Sequence, residues 1–191
     1  MLPKLHAKLG VRRNAPRPFA NQPDRDQGDR AMTWNIYLSG EIHTDWREQI
    51  AAGAKSAGLD VALTGPVTHH EASDDCGVAI LGSEPNKFWH DHKGAQINAI
   101  RTRSLIEDAD IVVVRFGEKY KQWNAAFDAG YAAALGKPII IMHQDDHAHA
   151  LKEVDAAALA VTKTPEQVVA ILAYVIEGKL AGYTDRAQAA E

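Results

Sequence analysis

ADIVVVRFGEKYKQWNAAFDAGYAAALGKPIIIM, residues 109–142, is the stretch that decides the fold. It opens with an apolar β-branched run at 111–114, introduced by Asp110 and closed by Phe116 and Gly117, and ends with a second apolar run at 138–142. Both read as strands buried on two faces. Between them Asn124 is placed to cap a helix over 125–135, with Gly136 to stop it and Pro138 just beyond. The unit is β-α-β. Ligands of such units bind outside the carboxyl ends of the strands, so the 115–123 loop and the first turns of the helix are expected to line a site. Asp128 lies one turn after Asn124 on the same helix face.

Outward toward the amino end, a helix is expected over 94–107, with Ile97, Ile100, Leu105 and Ile106 inward and Arg101 and Arg103 outward. Before it, residues 64–93 offer at most one short apolar piece, 78–81, and read as a long functional loop, an ordered lid or wall rich in His, Asp and Glu. Strands are expected at 34–38 and 59–63, joined by a helix that Asp45 and Glu48 would start as a capping box and Gly58 would end. Toward the carboxyl end come a charged helical connection at 145–154, a strand at 158–161, and a helix announced by Thr164-Pro165-Glu166-Gln167 and stopped by Gly178. Strands alternating with helices imply one α/β domain, a single doubly wound, mostly parallel sheet of about five strands, Rossmann- or flavodoxin-like. Residues 1–31, proline-bearing and aperiodic, read as a disordered extension, 32–178 as the domain, and 179–191 as a frayed tail.

The chain has 191 residues, 46% of them hydrophobic, and a formal net charge of -4. That is enough for one real core and too little charge for binding nucleic acid through a basic surface. A single cysteine, Cys76, excludes an internal disulfide and fits a reducing compartment. No apolar run reaches membrane-spanning length, so a soluble, cytoplasmic protein without membrane partners is expected.

Several residues could carry chemistry. Asp128 sits in an alanine-rich helix with no Lys or Arg at helical spacing, and a buried carboxylate needs partners, either structural or functional. Asp110, at a helix-to-strand turn, reads on pattern as a turn residue, and Tyr37 as core. The pairs His90/His92 and His147/His149 lack the spacing of metal ligands, and no metal is expected. Arg101, Arg103 and Lys93 could hold a phosphate or could simply form a solvated face. No phosphate-cradling glycine loop of the GxGxxG or Walker type is present, and without a GxSxG elbow no serine triad is expected.

The strings YLSGEIHTDWRE, TGPVTHHEASDDCGV, EPNKFWHDHKGA, NAIRTR and FGEKYKQWNAAFDAGYAAALGKP resemble those of the YtoQ family, over about residues 33–176. That family in turn resembles the nucleoside 2-deoxyribosyltransferase superfamily, through Tyr37-Leu38-Ser39-Gly40, Asp110, and the string from Phe127 to Ala132 that runs into Gly136-Lys137-Pro138. The resemblance implies an enzyme that cleaves or transfers at the N-glycosidic bond of a nucleoside, nucleotide or related ribosyl compound. Asp128 would be the carboxylate nucleophile, as in a retaining glycosidase. The transferases carry glutamate at that position, an acidic residue at the position of Gln122, and a proline at that of Glu41. Glu41, His43 and Asp110 are accordingly the candidate acid/base and sugar-positioning groups. Tyr37, Ser39, Gly40, Arg115, Trp123, Asn124, His90 and Arg101 are the candidate substrate contacts. The partner would be a small nucleoside or nucleotide, no cofactor would be needed, and relatives commonly form homo-oligomers. The alternative is a nucleotide- or sugar-binding protein that kept the crevice without the chemistry.

Overall fold

The structure, a computed structural model, describes residues 33–119 and 121–180, and of His70 the backbone alone. The expectations for residues 1–31 and for most of the carboxyl tail fall outside the described residues. In chain order the elements are β1 (Trp34–Gly40), α1 (Trp46–Ser56), β2 (Val61–Thr64), α2 (His70–Leu81), α3 (Lys87–Asp108) and β3 (Ile111–Arg115), then α4 (Trp123–Ala134), β4 (Ile139–Met142), α5 (Lys152–Ala156), β5 (Ala160–Thr162) and α6 (Pro165–Glu177). The five strands form one sheet in the order β2-β1-β3-β4-β5, every neighbouring pair parallel.

Each central strand is apolar throughout because it feeds two cores. Ile36, Leu38, Ile111, Val113, Ile140 and Met142 pack with α1 and α6 on one face. Tyr37, Val112, Val114, Ile139 and Ile141 pack with α3 and α4 on the other. Successive side chains of a strand point to opposite faces, so a sheet covered on both sides needs no polar alternation. Each fully buried aliphatic side chain contributes about 1.5–3 kcal/mol. Gly53 of α1 meets Val169 of α6 so closely that an added Cβ would lie 2.8 Å from a Val169 methyl, which lets these two helices share one layer.

The 64–93 stretch departs most from its expectation. It holds α2 and the first turns of α3, which form a helical hairpin. His69 caps α2, its Nδ1 accepting from the Ala72 N–H at 3.4 Å, and Asn86 caps α3, its carbonyl accepting from Phe88 N–H at 2.9 Å. The contact face of α2 is built from Ser73, Cys76 and Gly77. A Cβ on Gly77 would come within 2.3 Å of Gly94 N, and one on Gly94 within 2.7 Å of Asp74 O, so the two backbones touch directly. Asn98 Nδ2 ties the pair by donating to Ser73 O at 2.9 Å. A helix seated on small residues carries no stripe of large aliphatic side chains, which is why periodicity missed it.

Smaller corrections follow from local bonding. Asp45 starts α1 without a side-chain cap; its carboxylate accepts from Gln49 Nε2 at 2.8 Å instead. Asn124 is the second residue of α4 and not its cap. The position before α4 is Gln122, whose side chain accepts from Gly117 N–H at 3.2 Å and donates to Lys119 O, fastening the β3–α4 loop. The 145–154 connection is a single 3-10 turn followed by α5. The Thr164 capping box forms as expected, with Pro165 in the first turn and Gly178 left-handed at the end.

Candidate active site

In the order β2-β1-β3 the chain reverses its direction of growth at β1, and the crevice between the carboxyl ends of β1 and β3 is where such sheets bind ligands. A cavity of about 650 Å³ opens there. Its floor is Ser39, Gly40 and Asp128, one wall is the face of α3 that includes Asn98 and Thr102, and another is the start of α4.

Asp128 is buried, and Ser39 Oγ donates to its Oδ2 at 2.5 Å. Ser39 is two residues beyond Tyr37 on β1, so both project to the α4 side. Burial raises the Asp128 pKa from its ordinary value, while the Ser39 hydrogen bond pulls the other way. The Tyr37 hydroxyl is buried beside Thr102 and the Asp128 carboxylate, and burial pushes its pKa up to about 12. It is therefore protonated at neutral pH and can donate.

Glu41 lines the same cavity, and its carboxylate is occupied by its own loop. Oε1 accepts from the His43 N–H; Oε2 accepts from Thr44 Oγ1 at 2.5 Å and lies 3.6 Å from Arg115 Nε. The loop needs two glycines. Gly40, at φ 105°, would place a Cβ 2.0 Å from Arg115 O, and Gly117 would place one 2.4 Å from Glu41 Cγ. From outside, Arg47 donates to three carbonyls, Leu38 O at 3.1 Å, Glu41 O at 2.7 Å and Gly40 O at 3.0 Å. The result is a braced turn that presents His43 at the cavity.

Of the residues expected from sequence, Ser39, Gly40, Glu41, His43, Arg101, Trp123, Asn124 and Asp128 are brought together around this cavity, with Tyr37 beneath it. Three are not. Asp110 stands at the other end of β3, roughly 16 Å of strand away at about 3.3 Å per residue. There its Oδ2 accepts from Asn35 N–H at 2.8 Å and its own N–H donates to Asn35 O, a staple at the strand start. Arg115 turns to Glu41 and does not line the cavity. His90 bridges the helical hairpin, its Nε2 3.3 Å from Asp75 and its Nδ1 3.5 Å from Asp91. Sequence reasoning gave no site role to Arg47, Phe127 and Tyr131, and named Gln122 only as a departure from the transferases. Phe127 and Tyr131 fall at helical spacing from Trp123, a signal that was present. Gln122 acts through backbone contacts that no spacing encodes.

Among the described residues no group of three His, Cys, Asp or Glu side chains could hold a metal ion, and no helix is long and apolar enough to cross a membrane. The family model described as nucleoside 2-deoxyribosyltransferase YtoQ matches residues 37–176. The chain belongs to the YtoQ family. A Bacillus subtilis (strain 168) relative, described as uncharacterized protein YtoQ, is 44% identical over 146 residues, 76% of this chain and 99% of the relative. Every element from β1 to α6 except the first three residues of β1 and the last of α6 lies within the family match. Among solved structures, a 2-deoxyribosyltransferase from Bacillus psychrosaccharolyticus aligns with TM-score 0.46 and 15% identity, over 71% of this chain and 90% of that one. A de novo designed Rossmann 2x3 protein aligns with TM-score 0.44 and 11% identity, over 81% and 98%.

Proposed function

We propose that this YtoQ-family protein is an enzyme acting on the N-glycosidic bond of a nucleoside, nucleotide or related ribosyl compound, with Asp128 as nucleophile. The observation that carries this reading is the buried Asp128 carboxylate at the floor of the cavity, held by one hydroxyl and without a salt bridge among the described residues. Family membership supports the same chemistry.

An Asp128 oxygen attacks the anomeric carbon, the C–N bond breaks, and the base departs with its electron pair. The result is a covalent glycosyl-aspartate. Ser39 orients the carboxylate, and Tyr37 supplies a donor proton beside it. His43, held at the rim by the Glu41 turn, gives the departing base a proton. Water or an incoming base then attacks the same carbon and releases Asp128, and in either case His43 takes back the proton that the acceptor loses. Glu41 acts through His43, as a positioning residue.

Incubation of the purified protein with nucleosides and their 5′-monophosphates, with and without free acceptor bases, followed by liquid chromatography, tests the proposal. Base release or exchange that vanishes in Asp128→Asn is the expected result. Turnover that survives in Asp128→Asn with the fold intact would remove Asp128 from the chemistry.

A further inference from the structure

The cleft face of α4 carries more than the nucleophile. Trp123, Phe127 and Tyr131 follow one another at intervals of four residues, so they stack along one side of the helix about 6 Å apart. All three line the cavity, and Trp123 and Phe127 are 72% and 60% exposed. Large aromatic side chains left open in adjacent positions within a cavity mark a surface that something covers.

A cation stands at each end of this rail, and at the Tyr131 end the Glu107 carboxylate also accepts from the Tyr131 hydroxyl. Lys121 Nζ lies 5.6 Å from the Trp123 ring centroid, and Arg103 Cζ lies 6.0 Å from that of Tyr131. Among the described residues neither cation forms a salt bridge. Of the carboxylates at the cavity, Glu41 is partnered by Arg115 and Thr44, Asp91 by Lys87 and Asp128 by Ser39, and Asp74 lines it as well. Arg103 and Lys121, placed over the end rings, are thus positioned to meet an anionic group that lies on the rail.

We propose that the rail and its two cations form a nucleotide subsite, in which the base stacks on Trp123 and Phe127 and a phosphate is held by Lys121 or Arg103. This rests on the reading that the cleft takes a ribosyl compound, and narrows it from nucleosides to phosphorylated ones. A nucleoside would use the rings alone and a sugar phosphate the cations alone; only a nucleotide engages both. Stacking on an aromatic face tolerates any base, and cations flanking the ring add an attraction that salt weakens.

Binding to the full-length Asp128→Asn protein tests this without depending on turnover. The probes are purine and pyrimidine nucleoside 5′-monophosphates of the ribo and deoxy series, the matching nucleosides, and ribose 5-phosphate, titrated by calorimetry, with the tryptophan fluorescence change that is lost in Trp123→Ala as a second signal. At least one monophosphate is expected to bind about tenfold or more tighter than its nucleoside and than ribose 5-phosphate. Adding Trp123→Ala is expected to weaken nucleotide and nucleoside alike, by about tenfold. Adding Lys121→Ala and Arg103→Ala together is expected to erase the phosphate advantage and its salt dependence while leaving nucleoside affinity unchanged. Equal affinity for nucleoside and nucleotide, an unmoved affinity in Trp123→Ala, or no binding of any probe would overturn the subsite. So would sedimentation showing a dimer that Trp123→Ala with Phe127→Ala dissociates, since the rail would then be a subunit contact. The two proposals separate cleanly: nucleotide binding without turnover by the unmodified protein sinks the glycosidic reading alone, and turnover with no phosphate preference sinks the subsite alone.

Discussion

Ser39 and Asp128, 89 residues apart in sequence, meet in the buried floor of the cleft, the serine hydroxyl donating to the carboxylate at 2.5 Å. The bond joins the end of β1 to the first turns of α4 across the crevice where the sheet reverses its order. It is the one hydrogen bond that the described structure gives the Asp128 carboxylate. Burial and this bond therefore set the carboxylate's state between them.

Asp128→Asn is expected to stabilise the protein at neutral pH while abolishing turnover. Burial raises the folded-state pKa of Asp128, so the folded chain holds its proton to higher pH than the unfolded chain does. The stability tied to that proton is fully present below the unfolded value, about 3.9, and is lost as pH rises through the raised folded value. Asparagine carries no such cost and still accepts from Ser39. Thermal melts of both proteins from pH 4 to pH 8 should show the variant's advantage growing with pH and then levelling, whereas a variant less stable at every pH would contradict it.

Ser39→Ala removes the group that lowers the Asp128 pKa. The carboxyl then rises further, and the acid limb of the pH–rate profile is expected to move to higher pH. A hydrogen bond to a charged group is worth about 1.5–3 kcal/mol, so activity below that limb should fall at least tenfold. An unchanged limb in Ser39→Ala would mean that another group sets it.

Glu41→Ala is expected to loosen the β1–α1 turn and to leave Arg115 without its buried partner, at a cost of about 3 kcal/mol. Hydrogen exchange read over residues 42–44 should rise sharply, because the His43 N–H loses its carboxylate acceptor. Glu41→Gln keeps an acceptor of the same shape and should restore most of the protection and most of the turnover. Full inactivation of Glu41→Gln with protection intact would instead make Glu41 a proton carrier.

Gly77→Ala and Gly130→Ala should move stability in opposite directions. A Cβ at Gly77 would meet Gly94 N at 2.3 Å and force the α2–α3 hairpin apart, an overpacking cost of about 1–3 kcal/mol. Gly130, in α4, has nothing within 4 Å of that position, so alanine there should gain up to about 1 kcal/mol in helix propensity. Denaturant midpoints measured at constant m-value distinguish the two.

The central β-α-β unit was legible because its code is local. Strands buried on both faces are apolar at every position, and Thr164, Pro165 and Gly178 mark α6 by groups that satisfy the helix's own ends. Asp128 could be singled out for a related reason, since a carboxylate among alanines has no local partner. The sequence by itself therefore determined the sheet and most of the helices, and it singled out a carboxylate that lies at the floor of the cavity. Only the tertiary structure decided who stands beside that residue. It set Asp110 at the far end of its strand, closed the Glu41 carboxylate onto its own turn, spent His90 and Arg115 on structural pairs, and turned 64–93 into a hairpin on touching glycines. Those outcomes depend on which strand ends converge and which backbones approach closely, distances between segments tens of residues apart that no periodicity within a segment records.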